Sequence, residues 1–124
     1  MSAEKNMSRM KDKPLLGITM GDPAGIGPEV IAKALAGKAL RRLCRPIVIG
    51  SFSVMQQTVK SLKLKMNVVR VEGHDPKPPR LSDMAVLDTL DHPLGRFPRG
   101  VAALETGAAS VLFIKKAVEL AQLG

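Results

Sequence analysis

Aromatic residues are almost missing from this chain: there are three Phe among 124 residues, and no Trp or Tyr. Proteins that read single-stranded DNA or RNA stack bases on aromatic platforms, so the deficit argues against that role. Cysteine is nearly absent too. Cys44 stands alone, which excludes an internal disulfide and a cysteine-based metal centre. Beside Arg45 it reads as a semi-buried spacer ahead of a strand rather than as a reactive thiol. Histidine is limited to His74 and His92, too few for a catalytic metal site without carboxylates at ligand spacing. Each reads as a solvated loop residue. No apolar run reaches the roughly eighteen residues of a membrane-spanning helix. Residues 1–13 are polar and lack the apolar stretch of a signal peptide, so they read as a disordered leader on a cytoplasmic protein.

What is present describes a globular chain. The apolar share is 45%, ordinary for a packed core, and the length suits one modest domain. The net charge of +8 raises the question of nucleic acid. Its distribution answers against one binding face. Residues 1–13 contribute +2, Lys38 to Arg45 contribute +4, and Lys60 to Arg80 contribute another +4. These clusters fall at expected helix ends and connections, where solvated Lys and Arg are usual. A phosphorylated small molecule is the simpler partner for a basic protein, with no role for nucleic acid or membrane.

Strand and helix patterns alternate along the chain. Leu15 to Met20 is a short apolar run of the kind buried on both faces of a parallel sheet. Gly21 to Pro28 is a glycine- and proline-rich turn, and Pro28 suits the first turn of a helix with Val30, Ile31, Ala34 and Leu35 on its apolar stripe. Gly37 is the expected stop. Pro46 to Gly50 is a second buried strand, after which Ser51 or Ser53 caps a helix turning Val54, Met55, Val59 and Leu62 inward. Met66 to Val71 and Met84 to Asp88 are two further strands, and the stretches Gly73 to Arg80 and Asp91 to Gly100 read as loops. From about Val101 to Leu123 a long helix carries Val111, Ile114, Val118 and Ala121 on one face, with Gly107 as a late start or a close-packing point. The fold class expected is α/β with a largely parallel sheet and flanking helices. The last residues, Ala121 to Gly124, follow that helix where another strand is expected, so the sequence reads as cut within the fold.

One segment carries chemistry. Gly21 to Glu29 (GDPAGIGPE) places a glycine-rich turn and a helix N-terminus at the carboxyl end of a buried strand, an anion-friendly arrangement. Gly25 and Gly27 are read as allowing positive φ and close approach of a ligand, with Asp22 orienting the loop or meeting a ribose. The glycine spacing fits neither the dinucleotide fingerprint nor the P-loop. A rigid turn that binds nothing explains the spacing equally well.

The run Ile18 to Glu29 (ITMGDPAGIGPE) resembles the opening signature of the 4-hydroxythreonine-4-phosphate dehydrogenase family. A shorter form, Gly-Asp-Gly-Ile-Gly-Pro-Glu, opens the isocitrate and isopropylmalate dehydrogenases, whose fold the family shares. Gly100, Gly107 and the helix end Ala117 to Ala121 resemble the family less specifically. The resemblance runs from Pro14 to Gly124, so residues 14–124 are expected to be the amino-terminal part of a dehydrogenase α/β domain, incomplete in this chain.

The resemblance implies NAD-dependent oxidation of a secondary alcohol in a four-carbon phosphorylated hydroxy acid such as 4-phosphohydroxy-L-threonine, usually followed by decarboxylation. It also implies a divalent metal (zinc, magnesium or cobalt) and a homodimer. Some relatives serve pyridoxine and pyridoxal phosphate synthesis; others oxidise erythronate or threonate 4-phosphate in sugar-acid catabolism. The family's three metal-binding histidines, its Thr-x-Pro-x-x-Lys motif and its Gly-His-Thr segment have no counterpart here. Metal ligands are therefore expected beyond residue 124, with no catalytic residue in this chain, and the chain alone is expected to be inactive. A non-catalytic remnant or interaction module is the alternative. What the resemblance leaves in this chain is a cofactor-side loop of Asp22, Gly25, Ile26, Gly27 and Glu29, expected to border NAD.

Overall fold

A computed structural model describes residues 13–72, 83–88 and 104–123. Four strands, β1 (Leu15–Thr19), β2 (Arg45–Ile49), β3 (Val68–Arg70) and β4 (Met84–Leu87), form one sheet in the order β1-β2-β4-β3. Every pair is parallel, with Leu15 opposite Arg45, Ile47 opposite Ala85 and Val68 opposite Met84. Parallel neighbours need crossover connections, and the helices α1 (Gly27–Ala36), α2 (Ala39–Leu43) and α3 (Phe52–Ser61) lie in two of them. The fourth helix, α4 (Leu104–Leu123), follows β4 and packs against β1 and β2.

Side-chain alternation divides the core in two. Val48, Met84 and Val86 join Ile31, Ala32 and Leu35 of α1 and Val54, Met55 and Val59 of α3 in the larger cluster. Ile47, Ala85 and Leu87 form the smaller one with Val71, and Leu120 of α4 packs on it. The central strands β2 and β4 are buried almost throughout, which matches their continuous apolar sequence.

Three expectations are corrected by the packing. β1 is a strand, but Leu15 and Leu16 stay 47% and 45% exposed because among the described residues β1 pairs with β2 alone and forms an edge. In α1 the buried stripe is Pro28, Ile31, Ala32 and Leu35, whereas Val30 is 56% exposed and Ala34 is exposed. Burial of Pro28 fixes that phase. In α4 the inward face is Ala109 and Phe113, with Ala117 and Leu120 packed behind them, while Val111, Ile114 and Val118 point outward and Ala121 is exposed. Both faces of α4 carry apolar residues, so periodicity alone cannot choose between them. A side chain at Gly107 would meet nothing within 4 Å, so that glycine neither starts the helix nor permits a close contact.

Other readings hold. Ser51 is the N-cap of α3, its hydroxyl accepting from the Val54 N–H at 3.3 Å. The first helix ends at Gly37, in extended backbone rather than a left-handed cap. The short helix α2 lies in the stretch read only as a basic connection. Its Arg41 donates to the carbonyls of Leu35 and Asp83, both at 2.9 Å, and Arg45 donates to the carbonyl of Lys13 at 3.0 Å. Part of the positive charge is thereby engaged inside the fold. Cys44 is buried, its thiol 3.5 Å from the Leu40 carbonyl. The stretches read as loops, with His74 and His92, and the leader 1–12 lie outside the described residues. Among the described residues no helix is long and apolar enough to cross a membrane.

Candidate functional site

Strand β1 delivers the chain to the carboxyl edge of the sheet, and the turn there is built from its own residues. Gly21 has φ +75°, a left-handed conformation that side chains disfavour. Asp22 then ties the turn twice. Its Oδ1 accepts from the Ala24 N–H and its carbonyl from the Gly25 N–H, both at 2.9 Å. Pro23, Ala24 and Pro28 are buried and anchor the segment, while Gly25 is exposed and Ile26 is 78% exposed at its tip. The result is a pinned loop with an apolar tip in the open.

The glycines divide the work differently from the sequence reading. The positive φ belongs to Gly21, not to Gly25 or Gly27. A Cβ on Gly27 would collide with the Met20 carbonyl, so this glycine serves close packing of the helix start against the strand. Glu29 pairs with Lys33 one turn along the exposed face of α1, at 2.9 Å, and does not brace the turn as Asp22 does.

Ala24 to Ile26 and Glu29 form one wall of an open cleft of about 450 Å³. The other wall comes from Thr58, Ser61 and Leu62 at the end of α3. The helical pattern points Leu62 to the core and gives no mark to Thr58 or Ser61. No local signal marks them, because only the packing of α1 on α3 brings them to the loop. The Thr58 hydroxyl is committed to the Val54 carbonyl at 2.7 Å, so the hydroxyl of exposed Ser61 is the more available polar group on that wall.

Two long helices start at the carboxyl edge with different electrostatics. At α3 the Asp88 carboxylate accepts from the Phe52 N–H at 2.9 Å and already answers the positive helix end. Arg70 lies 3.9 Å from that carboxylate and 4.9 Å over the Phe52 ring. At α1 the N-cap is Ile26 and no side chain caps the helix. Pro28 brings no N–H and the Val30 N–H donates to the Ile26 carbonyl at 3.1 Å, so only the Gly27 and Glu29 amides lack a side-chain cap, and the Glu29 carboxylate stands in the same turn. A divalent metal is not accommodated in the same way: among the described residues no three His, Cys, Asp or Glu side chains gather.

A parallel α/β sheet with a Gly-Asp-Pro turn opening the first helix at its carboxyl edge has the architecture of the isocitrate and isopropylmalate dehydrogenase class. No model of a known protein family matches the chain. Individual relatives do match. A Symbiobacterium thermophilum protein provisionally named D-threonate 4-phosphate dehydrogenase is 39% identical over 93% of this chain and 34% of its own length. The 4-hydroxythreonine-4-phosphate dehydrogenase of Desulfosudis oleivorans is 36% identical, again over 93% of this chain and 34% of its own. The crystal structure of a 4-hydroxythreonine-4-phosphate dehydrogenase from Burkholderia phymatum superimposes with a TM-score of 0.82 at 34% identity, covering 90% of this chain and 34% of that one. Nearly the whole chain is thus similar to 4-hydroxythreonine-4-phosphate and D-threonate 4-phosphate dehydrogenases, and it spans about a third of the length of those relatives.

Proposed function

We propose that this chain supplies the cofactor-side loop of an NAD-dependent dehydrogenase acting on a four-carbon hydroxy acid 4-phosphate. The observation that carries the reading is the pinned loop Asp22 to Glu29, whose exposed Gly25–Ile26 tip and uncapped helix start border one open cleft. Clefts of several hundred Å³, mostly apolar with a few polar groups, are the usual seats of cofactors. The residues present fit one end of a dinucleotide: Ile26 and Leu62 offer apolar surface to a ring, Ser61 offers a hydroxyl, and the start of α1 offers backbone N–H donors beside the Glu29 carboxylate. NAD supplies the hydride acceptor. This chain's part is to bind and orient it, with Asp22 holding the turn.

The substrate class follows from the names of the relatives, which are dehydrogenases of threonate and hydroxythreonine 4-phosphates. Their chemistry in common is oxidation of a secondary alcohol beside a phosphorylated four-carbon chain. Among the described residues no three His, Cys, Asp or Glu side chains gather, so we assign no metal-dependent step to them. If the complete enzyme uses a divalent cation, its ligands belong to other parts of the protein. A cytoplasmic homodimer accords with this reading.

The test is a titration of NAD into the isotope-labelled protein. The amides of Gly25, Ile26 and Glu29 are expected to shift together and to saturate, and Gly25→Val is expected to weaken binding about tenfold or more by closing the backbone's approach. Unchanged NAD affinity in that variant, with the fold intact, defeats the assignment.

A further inference from the structure

A ribose presents two neighbouring hydroxyl groups, and a carboxylate is the side chain best matched to that pair of donors. The cleft beside the glycine loop contains one. Among the described residues that line it, Glu29 is the only charged one, the others being apolar, glycine or hydroxyl residues.

Asp22, which the sequence offers as a partner for a ribose, is engaged elsewhere. Its Oδ1 accepts from the Ala24 N–H at 2.9 Å, and Asp22 is not among the described residues that line the cleft. Glu29 differs on both counts. It lines the cleft, and its Oε1 lies 2.9 Å from Lys33 Nζ, which takes only one of the roughly four acceptor positions of a carboxylate.

Charge sorts what the cleft can take. A phosphate brought to this wall meets a carboxylate, and among the described residues no Lys or Arg lines the cleft to offset it. A neutral diol meets an acceptor instead, with the Ser61 hydroxyl on the facing wall and Ile26 and Leu62 beside it for the attached ring. Another cleft, of about 370 Å³ beside Asp88, makes the contrast. Lys115 and Lys116 line it together with the carboxylates of Glu72 and Glu119, so charge there does not select a neutral sugar.

We infer that Glu29 recognises an unphosphorylated ribose of the cofactor, an inference that rests on the NAD reading above. Both hydroxyl groups of the diol donate to its carboxylate, and a phosphate on either of them is repelled by it. Glu29 is a specificity residue in this account and takes no part in hydride transfer. NAD carries such a diol in its adenosine half and in its nicotinamide half, while NADP is phosphorylated only in the adenosine half.

The experiment titrates the full chain with adenosine and nicotinamide riboside, each beside its 2′-deoxy form, and with NAD and NADP. Amide shifts of Gly25, Ile26 and Ser61 give the affinities. At least one nucleoside is expected to saturate these shifts and to bind about tenfold or more tighter than its deoxy form, which lacks one donor. Recognition of adenosine, with NADP about tenfold or more weaker than NAD, assigns the adenosine half. Recognition of nicotinamide riboside, with NADP equal to NAD, assigns the other half. Glu29→Gln is expected to bind ribose and deoxyribose forms alike. Lys33→Met removes the ion pair but keeps the carboxylate, and is expected to retain the preference.

Four results overturn the inference: no binding of either nucleoside, no preference over the deoxy forms, an undiminished preference in Glu29→Gln, or an equal loss in Lys33→Met. NAD that shifts the loop without any diol preference removes the role of Glu29 and leaves the loop assignment standing. A diol preference without binding of NAD does the reverse.

Discussion

The Met20 carbonyl occupies the space in which a side chain on Gly27 would begin. The last turn before the sheet edge and the first turn of α1 are thus in backbone contact, and only glycine permits it. Gly27→Ala is expected to force strand and helix apart and to destabilise the protein by about 2 kcal/mol or more, within the range for overpacking a tight contact. Urea unfolding should show a lower midpoint for Gly27→Ala than for Gly25→Ala. A Cβ at Gly25 lies 3.3 Å from the Asp22 carbonyl on an exposed turn that can give. Equal midpoints for the two variants would remove Gly27 from its packing role.

Asp22 holds the loop through a side-chain bond to the Ala24 N–H and a backbone bond to the Gly25 N–H. Only the first depends on its identity. Asp22→Ala is expected to cost about 0.5–2 kcal/mol, as for the loss of a side-chain acceptor at a helix cap, and Asp22→Asn to restore most of it. Thermal melts supply the measurement. The NAD titration separates stability from binding, because a loosened tip is expected to lower affinity in Asp22→Ala even at temperatures where the protein is fully folded. An Asn variant as unstable as the Ala variant would mean that the carboxylate charge, not the turn hydrogen bond, matters at this position.

Ser51 is 1% exposed, and its hydroxyl is the acceptor for the Val54 N–H at the start of α3. Removing it leaves a buried donor without a partner. Ser51→Ala is expected to lose about 1–2 kcal/mol in chemical denaturation with no change in the denaturant slope. The neighbouring hydroxyl of Ser53, 3.1 Å from that of Ser51 and exposed, provides the control: Ser53→Ala is expected to lie within about 0.5 kcal/mol of the parent.

Much of this was legible in the sequence, and the reasons differ by residue. The strands Pro46 to Gly50 and Met84 to Asp88 announce themselves because a central parallel strand is apolar at every position. Ser51 and Pro28 mark helix starts through local chemistry that needs no partner. The loop at Asp22 is legible for the same reason: its geometry is made within a few consecutive residues. What the sequence did not disclose is decided between elements. Val111, Ile114 and Val118 form as good a stripe as the buried residues of α4, and only the position of the sheet selects Phe113. Thr58 and Ser61 join the cleft because α1 and α3 pack together, a fact absent from either segment. The sequence points to Gly25 and Gly27 for backbone freedom, yet Gly21 holds the positive φ, since the turn begins one residue after the strand's last contact with β2.

Arg41 offers the severest test of how the end of the sheet opposite the loop is held. Its guanidinium donates to the Leu35 carbonyl that closes α1, to the Asp83 carbonyl that opens β4, and toward the Met66 sulfur at 3.4 Å. Burial lowers its pKa from the ordinary value, and the nearby charge of Asp83 partly offsets that penalty. Asp83 is itself 5% exposed, and its Oδ1 has no hydrogen-bond partner among the described residues. The two charges attract without forming an ion pair, since the guanidinium bonds the Asp83 backbone carbonyl and not its carboxylate. Arg41→Met keeps the packing stem but removes the bonds to the Leu35 and Asp83 carbonyls and the attraction to the Asp83 carboxylate, and is expected to cost about 1.5–3 kcal/mol. Asp83→Asn in the Arg41→Met background is expected to recover part of the loss, because the buried negative charge goes with it. Urea midpoints for the two single variants and the double variant form the cycle. Additive losses would show that Arg41 acts through its carbonyl bonds alone, without electrostatic coupling to Asp83.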